Sequence, residues 1–164
     1  MTTIAFLTPD DREALEALLQ ELHQYYFDAP QPPSETSATA SKLIAGRYTE
    51  TIMAWENRRP LGLAIFTFLH PTRSPGGVLL MKDLFVSSQA RSRGVGRLLM
   101  ARLAQIAKEQ ECSRIDWTAR RGSLDTIRFY ETIGASEVDE KVYFRIRSDA
   151  FDSVIENTAG KKGR

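Results

Sequence analysis

The residues best suited to chemistry lie in one run, Asp83-Leu-Phe-Val-Ser-Ser-Gln-Ala-Arg91-Ser-Arg93-Gly94-Val-Gly96-Arg97. It reads as an apolar strand, a tight loop, a pair of glycines and the start of a helix. The first N–H groups of a helix lack intrahelical partners and carry the positive end of its dipole, so they attract anions. Glycines, lacking a Cβ, let a ligand approach the backbone. Residues 84–108 contain no acid, while Arg91, Arg93, Arg97, Arg102 and Lys108 give them a charge of +5. A solvated basic helix face reads the same way in isolation; the glycine pair behind a strand is what points to an anion site. Two common anion sites do not fit. A dinucleotide-binding turn needs a third glycine, and Leu99 stands there. A Walker-type loop needs Gly-Lys-Ser/Thr after four spacers, and no such run exists.

Arg91-x-x-Gly94-x-Gly96 behind Leu84-Phe85-Val86 resembles the acyl-CoA pyrophosphate loop of the GNAT superfamily of N-acetyltransferases. Phe129-Tyr130-x-x-x-Gly134-Ala135 resembles that family's later motif, in which a tyrosine sits near the thioester. Met81-Lys-Asp-Leu-Phe-Val86 and Cys112-Ser-Arg-Ile are most similar to the diamine (spermidine/spermine-type) acetyltransferases and their bacterial relatives. The resemblance covers most of the chain. It implies transfer of an acetyl group from acetyl-CoA to a primary amine of a small molecule (a diamine, a polyamine or an amino-acid-like acceptor) by direct attack in a ternary complex, with no metal. The pantetheine arm would lie beside Leu84, Phe85 and Val86 like an added strand, where neighbouring strands splay. The pyrophosphate would lie on the amides of Arg91, Ser92, Arg93, Gly94, Val95, Gly96 and Arg97, with the arginine side chains assisting. Ser92 replaces a glycine often found there, which is tolerable at a negative φ. Ser123 stands where the family frequently has a pantetheine-contacting asparagine, and Phe129 belongs to the same cofactor set. Tyr130 would be the general acid that protonates the leaving thiolate, since a phenol stays protonated at neutral pH. Its competing reading is a core aromatic beside Phe129.

The acceptor must lose a proton before it attacks, because a free alkyl ammonium titrates near ~10.4. The diamine enzymes have a glutamate where this chain has Lys82, and a lysine repels a polycation. Asp83 and Asp116 are the remaining candidate bases; a salt-bridged structural carboxylate is the competing reading for either. Asp116 alternates with Trp117, so only one of them faces the substrate side. Tyr25, Tyr26 and Phe27 resemble the segment that forms the family's acceptor pocket, with Lys82 also on the substrate side. Aromatic rings can hold a cation; hydrophobic packing is the alternative. Two other functions stay open: acetylation of a protein N-terminus or lysine, and a non-catalytic acyl-CoA-binding module. The family also implies a homodimer, with residues 135–147 as a contact.

The elements that must position these residues can be read from periodicity. Strands are expected at 3–7, 50–56, 61–69, 78–86 and 114–119, with a closing hairpin at 135–138 and 142–147. A helix opened by Thr8-Pro9-Asp10-Asp11 carries Leu15, Leu18, Leu19, Leu22 and Tyr26 at helical spacing to about residue 27. Pro32-Pro33 breaks the chain before a second helix at 37–46. Two more are expected at 94–110 and 123–133, the latter ended by Gly134 in a left-handed cap. Residues 70–77 read as a loop, 148–156 as a helical turn or two, and 157–164 as a disordered tail. This order predicts an α/β (α+β) fold. The resemblance makes it a mixed, mostly antiparallel sheet of about seven strands flanked by about four helices, in a single domain over 1–156.

The 164 residues are 42% hydrophobic and 26% charged, which excludes a disordered chain. Lys plus Arg is 22 and Asp plus Glu is 21, a net charge of +1. That balance gives no reason to expect a nucleic-acid or membrane partner. One cysteine, Cys112, permits no internal disulfide, and the two histidines make no zinc cluster with it. No apolar run reaches membrane-spanning length, and the N-terminus lacks a secretory leader pattern, so a cytoplasmic protein is expected.

Overall fold

Alternation of apolar residues builds the sheet. A computed structural model describes residues 1–70 and 75–159. Its strands are β1 (Thr3–Phe6), β2 (Glu50–Glu56), β3 (Arg59–Leu69), β4 (Val78–Val86) and β5 (Arg114–Asp116), in the spatial order β1-β2-β3-β4-β5. The first three pairings are antiparallel and the last, β4 with β5, is parallel. A parallel neighbour requires a crossover, and α3 (Val95–Glu109) supplies it.

Each face of the sheet carries its own helical layer. Met53, Leu63, Ile65 and Phe85 meet Leu15, Leu18 and Leu19 of α1 (Arg12–Phe27) and Ala40 of α2 (Pro33–Ala45). Ile52, Ala64 and Phe66 alternate with them and are fully buried. On that opposite face α3 packs against β2, β3 and β4 with Val95, Leu99, Leu103 and Ile106 buried. Burying one such side chain contributes roughly 1.5–3 kcal/mol, so the two layers fix where β4 lies.

Helix ends follow side-chain chemistry. The Asp11 carboxylate accepts from the Thr8 amide at 2.8 Å and the Thr8 hydroxyl at 2.7 Å, setting the entry to α1. Pro33 opens α2 rather than ending the chain before it, four residues ahead of the expected start. A proline at the first helical position loses no hydrogen bond, and the Pro32 carbonyl accepts the Glu35 and Thr36 amides.

Residues Met1–Ser123 form one compact unit, and a second begins at Leu124. The second holds α4 (Leu124–Thr132) and α5 (Phe151–Ala159). Gly134 follows α4 with φ 90°, the expected left-handed cap. The expected hairpin at 135–147 is absent: no strand forms there, and the sheet has five strands rather than seven. Val142, Phe144 and Ile146 keep the alternation but are exposed. A two-stranded hairpin alone is marginal in water, and the second unit offers no third strand among its described residues. There are five α-helices rather than four among the described residues, α5 reaching Ala159 inside the expected tail. Residues 71–74 of the expected loop and 160–164 of the tail lie outside the described residues.

Candidate functional site

The site is organised by two irregularities in β4. The ladder to β5 covers only Val78, Leu79 and Leu80, ending at Leu80↔Asp116, whereas the ladder to β3 runs on to Val86↔Gly62. From Met81 to Val86, β4 therefore has a strand on one side and none on the other among the described residues. The opening lies where a splay was expected, and β5 stops at Asp116, short of the expected 119. The second irregularity is a bulge. Register passes from Ile65↔Asp83 to Phe66↔Met81, which leaves Lys82 as the extra residue. Bulges re-aim the side chains around them. Lys82 stands exposed, while Asp83 shares the α1 face with its partner Ile65.

Beyond β4 the chain turns through a short 3-10 segment, Ser88–Ala90, into a tight loop ahead of α3. Ser92 has φ 59° and Gly94 φ 79°. The expected negative φ at Ser92 is thus overturned: the serine occupies the left-handed region where glycine is favoured. Left-handed residues flank Arg93 and curl the backbone; a run of amides made concave in this way is the kind of arrangement that suits an anion. A Cβ on Gly94 would meet no atom within 4 Å, so the backbone there is open to a ligand. The Val95 side chain is buried in the core, so only its amide can serve such a ligand.

The basic side chains are more committed than the sequence suggested. Arg93 pairs with Glu56 and holds that carboxyl below the usual range, through its hydrogen bond first. Arg102 pairs with Glu109 at 3.3 Å. Arg91 donates from Nε to the Val86 carbonyl at 3.3 Å, and its guanidinium lies 4.8 Å from the Tyr25 ring centre and 6.0 Å from that of Phe85. Arg91, Arg93 and Arg102 are thus each engaged by other groups of the protein.

On the α1 side, Tyr25 and Tyr26 stack edge to face at 5.4 Å and remain partly exposed. Burial, then the Asp83 charge and then Tyr25 push the Tyr26 phenol above its ordinary range, with Arg120 opposing. The phenol is therefore a neutral donor at working pH. Asp83 is mostly buried, with the Lys82 ammonium 4.0 Å away. Asp116 instead takes both its oxygens to the Arg114 Nε, at 2.9 and 3.1 Å, the salt-bridged alternative. Of the two candidate bases, Asp83 is the one beside Tyr26. The sequence singled out neither Arg120, which opposes the shift at Tyr26, nor Glu21, whose carboxylate accepts from the Ser87 hydroxyl at 3.0 Å. Glu21 stands one turn before Tyr25 on the same helix face, a spacing that could have drawn attention to it. Arg120 had no local signal.

In the second unit, α4 carries Phe129 and Tyr130 with ring centres 5.2 Å apart. Its end is tied by the Ala135 amide to the Tyr130 carbonyl at 3.1 Å. Ser123, the last residue of the first unit, donates its amide to the Arg120 carbonyl at 2.9 Å. No group of His, Cys, Asp and Glu among the described residues is arranged to hold a metal.

Residues 15–135 match the model of the acetyltransferase (GNAT) family. The chain belongs to this family. Among its relatives is a thialysine N-epsilon-acetyltransferase of Caenorhabditis elegans, 28% identical over 133 residues, covering 79% of this chain and 80% of that protein. An L-ornithine N5-acetyltransferase of Arabidopsis thaliana is 26% identical over 93 residues, 57% of this chain and 41% of that protein. An integron cassette protein from the mobile metagenome of V. cholerae has the same fold, with TM-score 0.87 and 33% identity over 94% of this chain and 98% of that one. The GNAT assignment accounts for the one-sided β4 and the glycine-led loop after it. No helix among the described residues is long and apolar enough to cross a membrane.

Proposed function

We propose that this GNAT enzyme transfers the acetyl group of acetyl-CoA to the distal primary amine of an amino-acid-like small molecule. The observation that carries the reading is the one-sided stretch of β4, Met81 to Val86, followed by the loop with left-handed Ser92 and Gly94. An extended amide-bearing arm can add to such an edge, and a diphosphate can rest on the amides beyond it. The acceptor class is supported by the names of the two relatives, whose substrates are thialysine and ornithine.

In the proposed reaction the neutral amine nitrogen attacks the thioester carbonyl. A C–N bond forms, the C–S bond breaks, and the CoA thiolate leaves. Backbone N–H groups of β4 stabilise the developing oxyanion. Asp83 takes the ammonium's first proton, directly or through water, before the attack. Tyr130 has the general-acid role that the family resemblance gives it: its hydroxyl protonates the thiolate, and the second proton, shed by nitrogen as the C–S bond breaks, restores the phenol through solvent. Tyr25 and Tyr26 offer ring faces to the acceptor's ammonium before it is deprotonated. Lys82, exposed on the bulge, disfavours polycations and suits an acceptor bearing a carboxylate.

The test is thiol release from acetyl-CoA across ornithine, thialysine, diamines, polyamines and peptides. Ornithine or thialysine should give the highest kcat/KM. Tyr130→Phe should lower kcat by about 10²–10⁴-fold with little change in acetyl-CoA affinity. Peptide-only turnover would replace the acceptor class, and tight acetyl-CoA binding with no release for any acceptor would replace the enzyme by a binding module.

A further inference from the structure

Glu21 lies 66 residues from Ser87 in sequence, yet its carboxylate is the centre of a long-range junction. The Ser87 hydroxyl is 3.0 Å from both Glu21 oxygens, and the Ser88 amide donates to Oε2 at 3.2 Å. Ser87 is 5% exposed and Glu21 is half-buried, while the Ser88 end of the junction faces solvent. Hydrogen bonds to an ionised acceptor are roughly twice as strong as neutral ones. One helical turn further along α1, Tyr25 sits under the Arg91 guanidinium and 6.4 Å from the Phe85 ring. Arg91 returns to the end of β4 through its bond to the Val86 carbonyl. The contacts close a circuit: Glu21 to Ser87 and Ser88, along the chain to Arg91, across to Tyr25, and back down α1 to Glu21.

We propose that Glu21 and Arg91 are positioning residues that couple the loop at residues 91–94 to the aromatic end of α1, so that seating CoA in the loop orders the acceptor wall. The inference rests on reading that loop as the CoA site. Its physical basis is the sharing of one ordering cost. Arg91 directly precedes the left-handed Ser92, so holding the loop in one conformation also holds the guanidinium over Tyr25. The second ligand then meets a wall whose ordering has already been done, which is positive coupling without a large structural change. A lysine replaces Arg91 poorly, because it has no Nε–H to hold the Val86 carbonyl while its head group lies over Tyr25.

The coupling is read by hydrogen–deuterium exchange of residues 21–27 with free CoA as the probe, in the full chain. Saturating CoA should slow exchange of these amides by about threefold or more in the native sequence. Glu21→Gln should bind CoA within about twofold of the native affinity by calorimetry yet lose that protection. Arg91→Lys at saturating CoA should lose it as well. Protection retained in both variants, or absent in the native chain that binds CoA, overturns the coupling. If the native chain binds no CoA at all, the reading of the loop falls and takes the coupling with it.

Discussion

Ser92 shows how much a single backbone angle matters in this site. At φ 59° its Cβ crowds the following carbonyl, a cost of about 1–2 kcal/mol for a non-glycine residue. Glycine would relieve that cost but lose about 0.4–1 kcal/mol through its freer unfolded chain. Ser92→Gly should therefore stabilise the protein by about 0.5 kcal/mol, seen as a raised urea midpoint at unchanged slope. A lower midpoint would mean that the serine side chain contributes more than the strain costs. Tyr26 makes a second prediction at this scale. Its phenol is raised above the ordinary tyrosine value of 10.0, mainly by burial and by Asp83. The folded state then holds this proton to higher pH than the unfolded chain does. The associated stability is complete below pH 10.0 and is lost as pH rises through the folded value. Native protein should lose stability more steeply than Tyr26→Phe as pH rises above 10.0, and equal slopes in urea titrations would refute the assignment.

At the scale of elements, β3 and β4 meet too closely for any side chain at Gly62. A Cβ there would stand 2.4 Å from the Phe85 carbonyl oxygen, which belongs to backbone and cannot swing away. Gly62→Ala should cost about 1–3 kcal/mol by forcing the strands apart. It should also weaken CoA binding, since the displaced segment is the one-sided end of β4. Unfolding and calorimetry on one variant check both, and an unchanged unfolding midpoint would show that the strands yield freely. The elements themselves were largely legible, because burial on two faces writes Val78 to Val86 as one apolar run and packing writes α1 and α3 as stripes. The glycine loop and the splay were legible through the family pattern. What escaped was set by contacts distant in sequence. Nothing local marks Lys82 as the extra residue of a bulge, since the bulge exists only relative to β3. Nothing local turns Arg91 onto Tyr25 or brings Glu21 to Ser87. The hairpin at 135–147 failed for the opposite reason: its alternation is local and real, but a strand needs a partner that alternation does not specify.

At the scale of the whole molecule, the net charge of +1 conceals the +5 of residues 84–108, and the fold then conceals part of that charge again. Arg93 is neutralised by Glu56, Arg102 by Glu109, and Arg91 is laid on aromatic rings. On the proposed reading of the loop, a diphosphate arriving there is held by fixed amides more than by free cations. Fixed amide dipoles within hydrogen-bonding distance are screened far less by salt than exposed charges several ångströms away. This separates two otherwise similar expectations for CoA. Binding to the folded state at about 100 times Kd adds about 2.7 kcal/mol to stability. For a chain of this size each kcal/mol moves Tm by about 2–4 °C, so CoA should raise Tm by about 5–10 °C. If amides dominate, most of that rise should survive at about 0.5 M NaCl, where the Debye length has fallen to about 4 Å. If mobile arginine side chains dominate instead, the rise should collapse to a small fraction of its low-salt value. Thermal unfolding with CoA at the two salt concentrations, read against the ligand-free chain at each, decides between them.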